Sequence, residues 1–268
     1  MVKSFNSQKG FGKIPILLFI IVTVVAVGIF YQLKNRDSKP LAENTAVPGS
    51  VEQKVNELWG HSQSNNNPYL GVPCTSNLEI QFTHDFTEVD KISSAEPTII
   101  TPGNSRHRAW LNIRSGKVPV YAPVDSELVN GVYKNARGAL DYDLHFQVSC
   151  EIWYLINHLT EPVDKIKNAF PQVPQTDTKI NPPFKEPIKF KAGELLGYTT
   201  GTPVAHNFDF GVFDLNHFND ELPADGGSKY GKEKNFICPF DVLPEKVKKS
   251  YYSKIISSEK PFTNCRAY

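Results

Sequence analysis

An uncharged hydrophobic run near the N-terminus constrains this chain more than any other feature. The run extends from Ile14 to Phe30 without a charged residue and stays uncharged through Leu33. At about 1.5 Å per residue, about twenty helical residues span the roughly 30 Å hydrocarbon core of a bilayer. In lipid a helix satisfies all of its own backbone polar groups, even when many residues are β-branched. The sequence therefore predicts a transmembrane anchor over residues 14–33, preceded by a short tail (1–13), with the lipid bilayer as its partner.

Two alternatives compete with an anchor. A cleaved signal peptide usually has an apolar region of about 7–15 residues followed by a small-x-small site, and this run is longer and lacks such a site. A buried core helix fits poorly with so many β-branched residues at this position. Three lysines and the α-amino group precede the run, and Lys34, Arg36 and Lys39 follow it with Asp37 among them, so the charge before the run is slightly more positive. This charge bias and the four cysteines favour a single-pass protein of the cell membrane whose globular domain is extracytoplasmic.

The chain as a whole has the composition of a folded protein. Its 29 basic and 28 acidic side chains are nearly balanced, which argues against a nucleic-acid partner. Residues 34–68 are polar and rich in turn formers, and are interpreted as a stalk. Residues 69–217 are predicted to form a β domain, and residues 218–268 a C-terminal extension with a loop and a helix.

Period-two alternation of apolar and polar residues predicts six to eight short strands in the β domain. The predicted segments are 78–83, 119–123, 128–133, 142–148, 152–159, 188–190, 195–198 and 208–215. Residues 149–151 read as a hairpin tip, and 168–187 as a Pro-rich excursion. The predicted fold class is mainly β, a two-sheeted sandwich or barrel-like domain. A short helix over 244–257 carries an apolar stripe that is expected to pack against the sheet.

Four cysteines outside the cytosol suggest two disulfides, and four cysteines allow three pairings. Cys238 and Cys265 bracket the predicted C-terminal helix, so a bridge between them is favoured. Cys74 and Cys150 would then form the second bridge.

Four segments resemble the lysostaphin-like M23 metallopeptidase domain, also called the LytM domain, which has the duplicated hybrid motif fold. They are VYAPVD at 120–125, WYLINHL at 153–159, KAGELLGYTTG at 191–201 and NFDFGV at 207–212. The resemblance covers about 95 residues in the family's order. It implies a two-sheeted β fold that acts on peptidoglycan outside the cytoplasmic membrane, with one zinc ion held by two histidines and an aspartate.

The metal-ligand motifs depart from the family. His107 falls at the first ligand position, but Leu111 stands where the family has aspartate, with Asn112 next to it. The family's final His-x-His is replaced by Asn207 and Asp209. A catalytic zinc needs three firm protein ligands and an open position, so these changes predict no bound zinc and no other cofactor.

The remaining family histidine position is kept by His158, which the resemblance implies would assist catalysis in an active member. His107, His158 and Asp209 are thus the candidate ligand-binding residues. In the alternative interpretation, His107 and Asp209 hold zinc and His158 is catalytic.

Other polar residues have weaker claims to a site. Asp143 and His145 share a face of one strand, either as a rewired ligand pair or as an exposed polar stripe. His206 is an odd number of positions from Asp209, so on a strand it faces the other way. The remaining histidines, His61, His84 and His217, are expected on the surface.

The sequence thus predicts a membrane-anchored, non-catalytic M23-like domain that binds a cell-envelope ligand, such as peptidoglycan, or an envelope protein. The alternative is a zinc metalloendopeptidase with rewired ligands that cuts cell-wall peptides.

Overall fold

The computed structural model describes residues 70–77, 81–98, 106–136, 138–217, 235–256 and 265. The predicted tail, anchor and stalk lie outside these residues. Within them, every helix is too short or too polar to cross a bilayer.

The described chain is mainly β, with two sheets and few helices, as the sequence predicts. The strands are β1 (Ile92–Glu96), β2 (Ala109–Ile113), β3 (Val118–Tyr121), β4 (Ser126–Ala136), β5 (Ala139–Gln147), β6 (Ile152–Leu159), β7 (Glu161–Pro162), β8 (Ile188–Phe190), β9 (Leu195–Thr199), β10 (Asn207–Asp214) and β11 (Phe236–Ile237). A 3-10 helix covers Val89–Lys91, and two α-helices follow, α1 (Asp164–Lys167) and α2 (Glu245–Tyr252).

The larger sheet has eight strands in the order β1-β2-β10-β6-β5-β4-β8, and β11 also pairs with β10. The smaller sheet has the order β3-β9-β7. Neighbouring strands in both sheets are antiparallel. The position of β10 between β2 and β6 brings residues around 107, 157 and 209 onto neighbouring strands, although they are far apart in sequence.

The main core lies on one face of the larger sheet and is rich in aromatic rings. Phe146 stacks on Tyr154 with ring centroids 4.7 Å apart. The C-terminal helix closes the core, because Tyr251 stacks between Phe86 at 5.0 Å and Phe240 at 4.9 Å. The predicted packing of this helix is confirmed, but α2 ends at Tyr252 and the described residues beyond it are not helical.

One predicted strand is wrong in its described part, because Gln81 to Thr83 are not in a strand. The backbone N–H of Phe82 donates to Val242 at 3.1 Å, whereas the N–H of Thr83 donates to Pro123 at 3.0 Å. These bonds go to two separate loops, so no ladder forms. Phe82 is nevertheless buried in the core, which explains the apolar signal in a segment that is not a strand.

Both favoured disulfides are present. Cys74 bonds to Cys150 at the β5–β6 hairpin tip, and Cys238 bonds to Cys265. The first one ties residues 70–77, here called the strap, to the larger sheet.

Candidate functional site

The second face of the larger sheet, opposite the main core, is the site face. On β5 the core side chains Tyr142, Leu144 and Phe146 alternate with polar residues that point to the site face. The interpretation of Asp143 and His145 as an exposed polar stripe is wrong, since their residues are only 6% and 8% exposed. A polar stripe that is buried requires internal partners, and these define the site.

One end of the site face is apolar and lies under the strap. Leu70 and Val72 of the strap cluster with Trp153 and Phe213, whose rings stack at 3.9 Å. The strap is further held by the Gln147 side-chain amide, which donates to the carbonyl of Pro73 at 2.7 Å. His145 packs edge-on against Trp153, so it belongs to this apolar end rather than to a metal site.

The other end carries a buried charge cluster on β4, β5 and β6. The Lys134 ammonium contacts Asp143 Oδ2 and lies 3.3 Å from Asp141 Oδ1. The second oxygen of Asp141 lies 2.7 Å from His158 Nδ1. Lys134 and Asp141 are paired across the β4–β5 hairpin, which explains their meeting. A fully buried ammonium is thus neutralised by two carboxylates.

A second group of charges surrounds Asp209 on β10. Asp209 Oδ2 lies 2.5 Å from Arg108 Nε and 3.9 Å from His158 Nε2. The amide of Asn157 donates to the same oxygen at 3.4 Å. Arg108 Nη1 also lies 3.1 Å from His107 Nε2. The three sequence candidates His107, His158 and Asp209 therefore lie in one network, with Arg108 between His107 and Asp209.

His158 reaches both groups because its backbone is unusual. Its φ of 68° lies in the left-handed region, which a residue with a Cβ rarely adopts. The pairing of β5 and β6 shifts register nearby, between Tyr142 and Leu144. Asp143 accepts a hydrogen bond from the His158 N–H at 3.2 Å, and Thr199 donates its hydroxyl to the His158 carbonyl. The register shift and the positive φ together direct the imidazole towards Asp141 and Asp209. Bulges near functional sites often change the direction of a side chain in this way.

Two variants that lack the imidazole, His158→Gly and His158→Ala, should reveal the strain of a positive φ at position 158. We expect His158→Gly to be more stable than His158→Ala by about 1 kcal/mol, because both delete the imidazole but only alanine keeps a Cβ at positive φ. Urea unfolding of both variants measures the difference. At Asn157, whose φ is not positive, the order should reverse. An alanine variant at 158 equal to or more stable than the glycine variant would contradict the assigned backbone.

The surroundings of His158 and Asp209 raise the pKa of both groups. Burial lowers the pKa of His158, but the hydrogen bond to Asp141 and the charges of Asp209 and Asp143 outweigh it, so the pKa is raised. Burial raises the pKa of Asp209, against the opposing charges of Arg108 and His158. The protonated imidazole balances the cluster: Lys134 and His158 then carry two positive charges against Asp141 and Asp143.

The raised pKa of His158 gives stability a pH dependence. Protonated His158 should contribute stability fully below about pH 6.5, the unfolded value, and lose it as pH rises through the higher folded pKa. NMR titration of the imidazole should place its pKa above 6.5, and Asp141→Asn should lower it. Asp164→Asn, at an exposed position, is the matched control and should leave it unchanged. A His158 pKa at or below 6.5 in the unmodified protein would refute this.

Three side chains of the cluster have the donor atoms of a metal site. The ligand atoms of Asp141, Asp143 and His158 lie within 4.8 Å of one another. The donor set of two carboxylates and an imidazole suits a divalent cation. The Lys134 ammonium, however, contacts both carboxylates, so a dication at this point would meet a positive charge already in place. In this arrangement the three residues do not fit a metal ion.

The family-type ligand positions do not form a site either. Leu111 is fully buried in the main core, whereas Asn112 is bonded to Ser94 at 3.0 Å. Asn112 is paired with Asn207, which accepts a hydrogen bond from Thr202 at 2.8 Å. Two neutral amides and two hydroxyls thus occupy this part of the structure.

The predictions for the other histidines have separate outcomes. His84 and His217 are exposed, as expected, and His61 lies outside the described residues. His206 is also exposed, but it precedes β10 rather than lying on it, with a φ of 50°. Sequence reasoning missed Arg108, Lys134 and Asp141. The available signal was a lysine and an aspartate within strongly apolar strand patterns on the two arms of one hairpin.

No protein-family model matches this chain, and no curated protein matches it. Among solved structures it is similar to one described as the NMR solution structure of lysostaphin, at 13% sequence identity and a TM-score of 0.36. The alignment covers 67% of this chain and 58% of that chain. A similarity of this size assigns neither an activity nor a ligand to the chain.

Proposed function

We propose that this protein is a membrane-anchored, non-catalytic domain of M23 type that binds a cell-envelope ligand, such as peptidoglycan, or an envelope protein. One observation carries the proposal: the acidic groups of the site face are neutralised by the protein's own cations. Lys134 lies between Asp141 and Asp143, and Arg108 is paired with Asp209. The four motifs of the sequence support the M23-type assignment.

Charge pairing of this kind opposes metal catalysis. A hydrolytic zinc site needs three protein ligands and a position for water. His107 and Asp209 supply at most two, and the guanidinium of Arg108 contacts both. Displacing a buried cation from its carboxylates costs several kcal/mol, because buried charges are left without a partner of opposite sign. Without a metal ion, the polar side chains of the site face are suited to binding a ligand through hydrogen bonds.

The second candidate function is a zinc endopeptidase that cuts cell-wall peptides through altered ligands. The convergence of Asp141, Asp143 and His158 favours it. In that case Lys134 would have to leave the cluster when zinc enters. Lys134→Gln would then tighten zinc binding and preserve or raise hydrolysis.

The test is an incubation of the full-length protein in detergent with purified peptidoglycan, with and without added zinc. We expect binding in a pull-down without release of peptide fragments. Zinc-dependent release of fragments, abolished by His158→Ala, would establish the enzyme and overturn the proposal.

The proposed location is the outer side of the cell membrane. It is supported by the hydrophobic run at 14–33, by the two disulfides and by the weak charge bias. Protease added to intact spheroplasts should digest the globular domain. Digestion only after lysis would place the domain in the cytoplasm instead.

A further inference from the structure

Part of the site face is a row of side chains that crosses four neighbouring strands. Trp110 on β2 is paired with Glu96 on β1 and with Asp209 on β10. Asp209 is in turn paired with Asn157 on β6. Directly paired residues point to the same face, with Cβ atoms about 4.5–5.5 Å apart. The row therefore joins an aromatic ring, two carboxylates and an amide.

The cations on and beside this row are all paired with carboxylates. Among the described residues these pairs are Arg106 with Glu96, Arg108 with Asp209, Lys134 with Asp143, and His158 with Asp141. An anionic or cationic ligand would have to break one of these pairs, several of which are buried. The face is therefore suited to a ligand without net charge.

Trp110 supplies a flat apolar surface within this polar row. Its ring is half-buried, and the guanidinium of Arg106 stacks on it at 4.1 Å from the centroid. Arg106 is itself held by the carbonyl of Pro97 at 2.6 Å and by Glu96 at 3.2 Å. The indole is thus fixed in position, and its exposed part can pack against apolar C–H groups.

The row also has an acceptor that the described residues do not satisfy. The side-chain oxygen of Asn157 is buried and has no hydrogen-bond partner among them. Asn157 is only 8% exposed. Asn157 belongs to the row itself, next to Asp209. A buried acceptor without a donor costs about 1–3 kcal/mol, so a ligand that brings O–H or N–H groups to it is favoured.

We propose that the site face binds a neutral saccharide, with one sugar ring against Trp110 and its hydroxyls among Arg108, Asn157, His158 and Asp209. A sugar ring combines an apolar C–H face with several O–H donors and no charge, which matches all three properties of the face. A peptide is the rival ligand, but extended peptides add to the edges of sheets, whereas this row lies on a sheet face. The inference rests on the proposed function and specifies its ligand.

The test uses the full-length protein in detergent and a β-linked N-acetylglucosamine tetramer as the probe, followed by NMR of the tryptophan indole N–H groups. The Trp110 signal should move on titration up to about 10 mM, the range of weak carbohydrate binding. The Trp153 signal, buried under the strap, should not move. Binding to the variants is followed on the NMR signals of the tetramer itself, because Trp110→Ala removes the reporting indole. Trp110→Ala should weaken binding by about tenfold or more, while Tyr198→Ala, on the smaller sheet, should leave it unchanged.

A tetramer that does not move the Trp110 signal would overturn the inference, as would binding that Trp110→Ala leaves intact. Movement of that signal by an uncharged, end-blocked tetraalanine, and not by the sugar, would assign a peptide ligand instead. None of these results involves zinc or hydrolysis. The proposed function is therefore tested separately, by the incubation with peptidoglycan and by the metal content of the protein.

Discussion

Lys134→Met is expected to destabilise the protein by about 3–5 kcal/mol at pH 7, which is the magnitude for breaking a buried ion pair from one side. The lysine is only 3% exposed and contacts both Asp141 and Asp143, so the variant leaves two buried carboxylates without their cation. Their shared remaining partner is His158. Urea unfolding, followed by circular dichroism, gives the change in the free energy of unfolding.

A surface pair provides the matched control for this variant. Lys189 lies 3.8 Å from Glu127, with its side chain 83% exposed, so Lys189→Met should cost less than about 1 kcal/mol. Adding Asp141→Asn and Asp143→Asn to Lys134→Met should recover much of the loss, because the uncompensated charges are removed. A loss below 1 kcal/mol for Lys134→Met alone would contradict the assignment of Lys134 as the internal counter-ion.

Removal of the Cys74–Cys150 disulfide is expected to have an effect of similar size. The bridge spans 76 residues, for which the chain-entropy model gives about 4.5 kcal/mol. The Cys238–Cys265 bridge spans 27 residues and should contribute about 3.5 kcal/mol. We therefore expect the paired Cys74→Ser and Cys150→Ser variant to be the less stable of the two double variants.

The Cys74–Cys150 variant should also show a local change, because this bridge holds the strap over Trp153. Hydrogen exchange of the Trp153 indole N–H should accelerate in it, and should accelerate less when Cys238 and Cys265 are replaced. Equal exchange in the two variants would show that the strap does not depend on its bridge.

The fold could largely be predicted because its strands have simple patterns. The segments around β5 and β10 alternate clearly, and the alternate apolar residues that they place in the main core do form one face of the larger sheet. The strands β1 and β2 were missed because they are short and mix polar with apolar residues. The segment around Phe82 was predicted as a strand because its apolar residues alternate. Alternation cannot distinguish a strand in a sheet from a buried loop whose backbone bonds to separate segments.

The candidate site could be predicted only in part. His107, His158 and Asp209 lie in one network, but the residues that set its chemistry are Arg108 and Lys134. The role of Arg108 depends on β2 and β10 being neighbours, and these strands come from distant parts of the chain. Lys134 meets Asp141 across a single hairpin, but nothing in the sequence shows that the pair is buried. The positive φ of His158 is also not visible in sequence, because histidine enters the left-handed region more often than most residues but still only rarely.

The metal content of the purified protein tests most directly whether Lys134 and Arg108 neutralise the carboxylates in place of a metal ion. The full-length protein, purified without chelator and dialysed against zinc at about 10 µM, should contain well under one zinc per chain. Elemental analysis of His107→Ala and of Lys134→Gln, prepared in parallel, shows which group any zinc depends on. Near-stoichiometric zinc in the unmodified protein, lost in His107→Ala, would contradict the account.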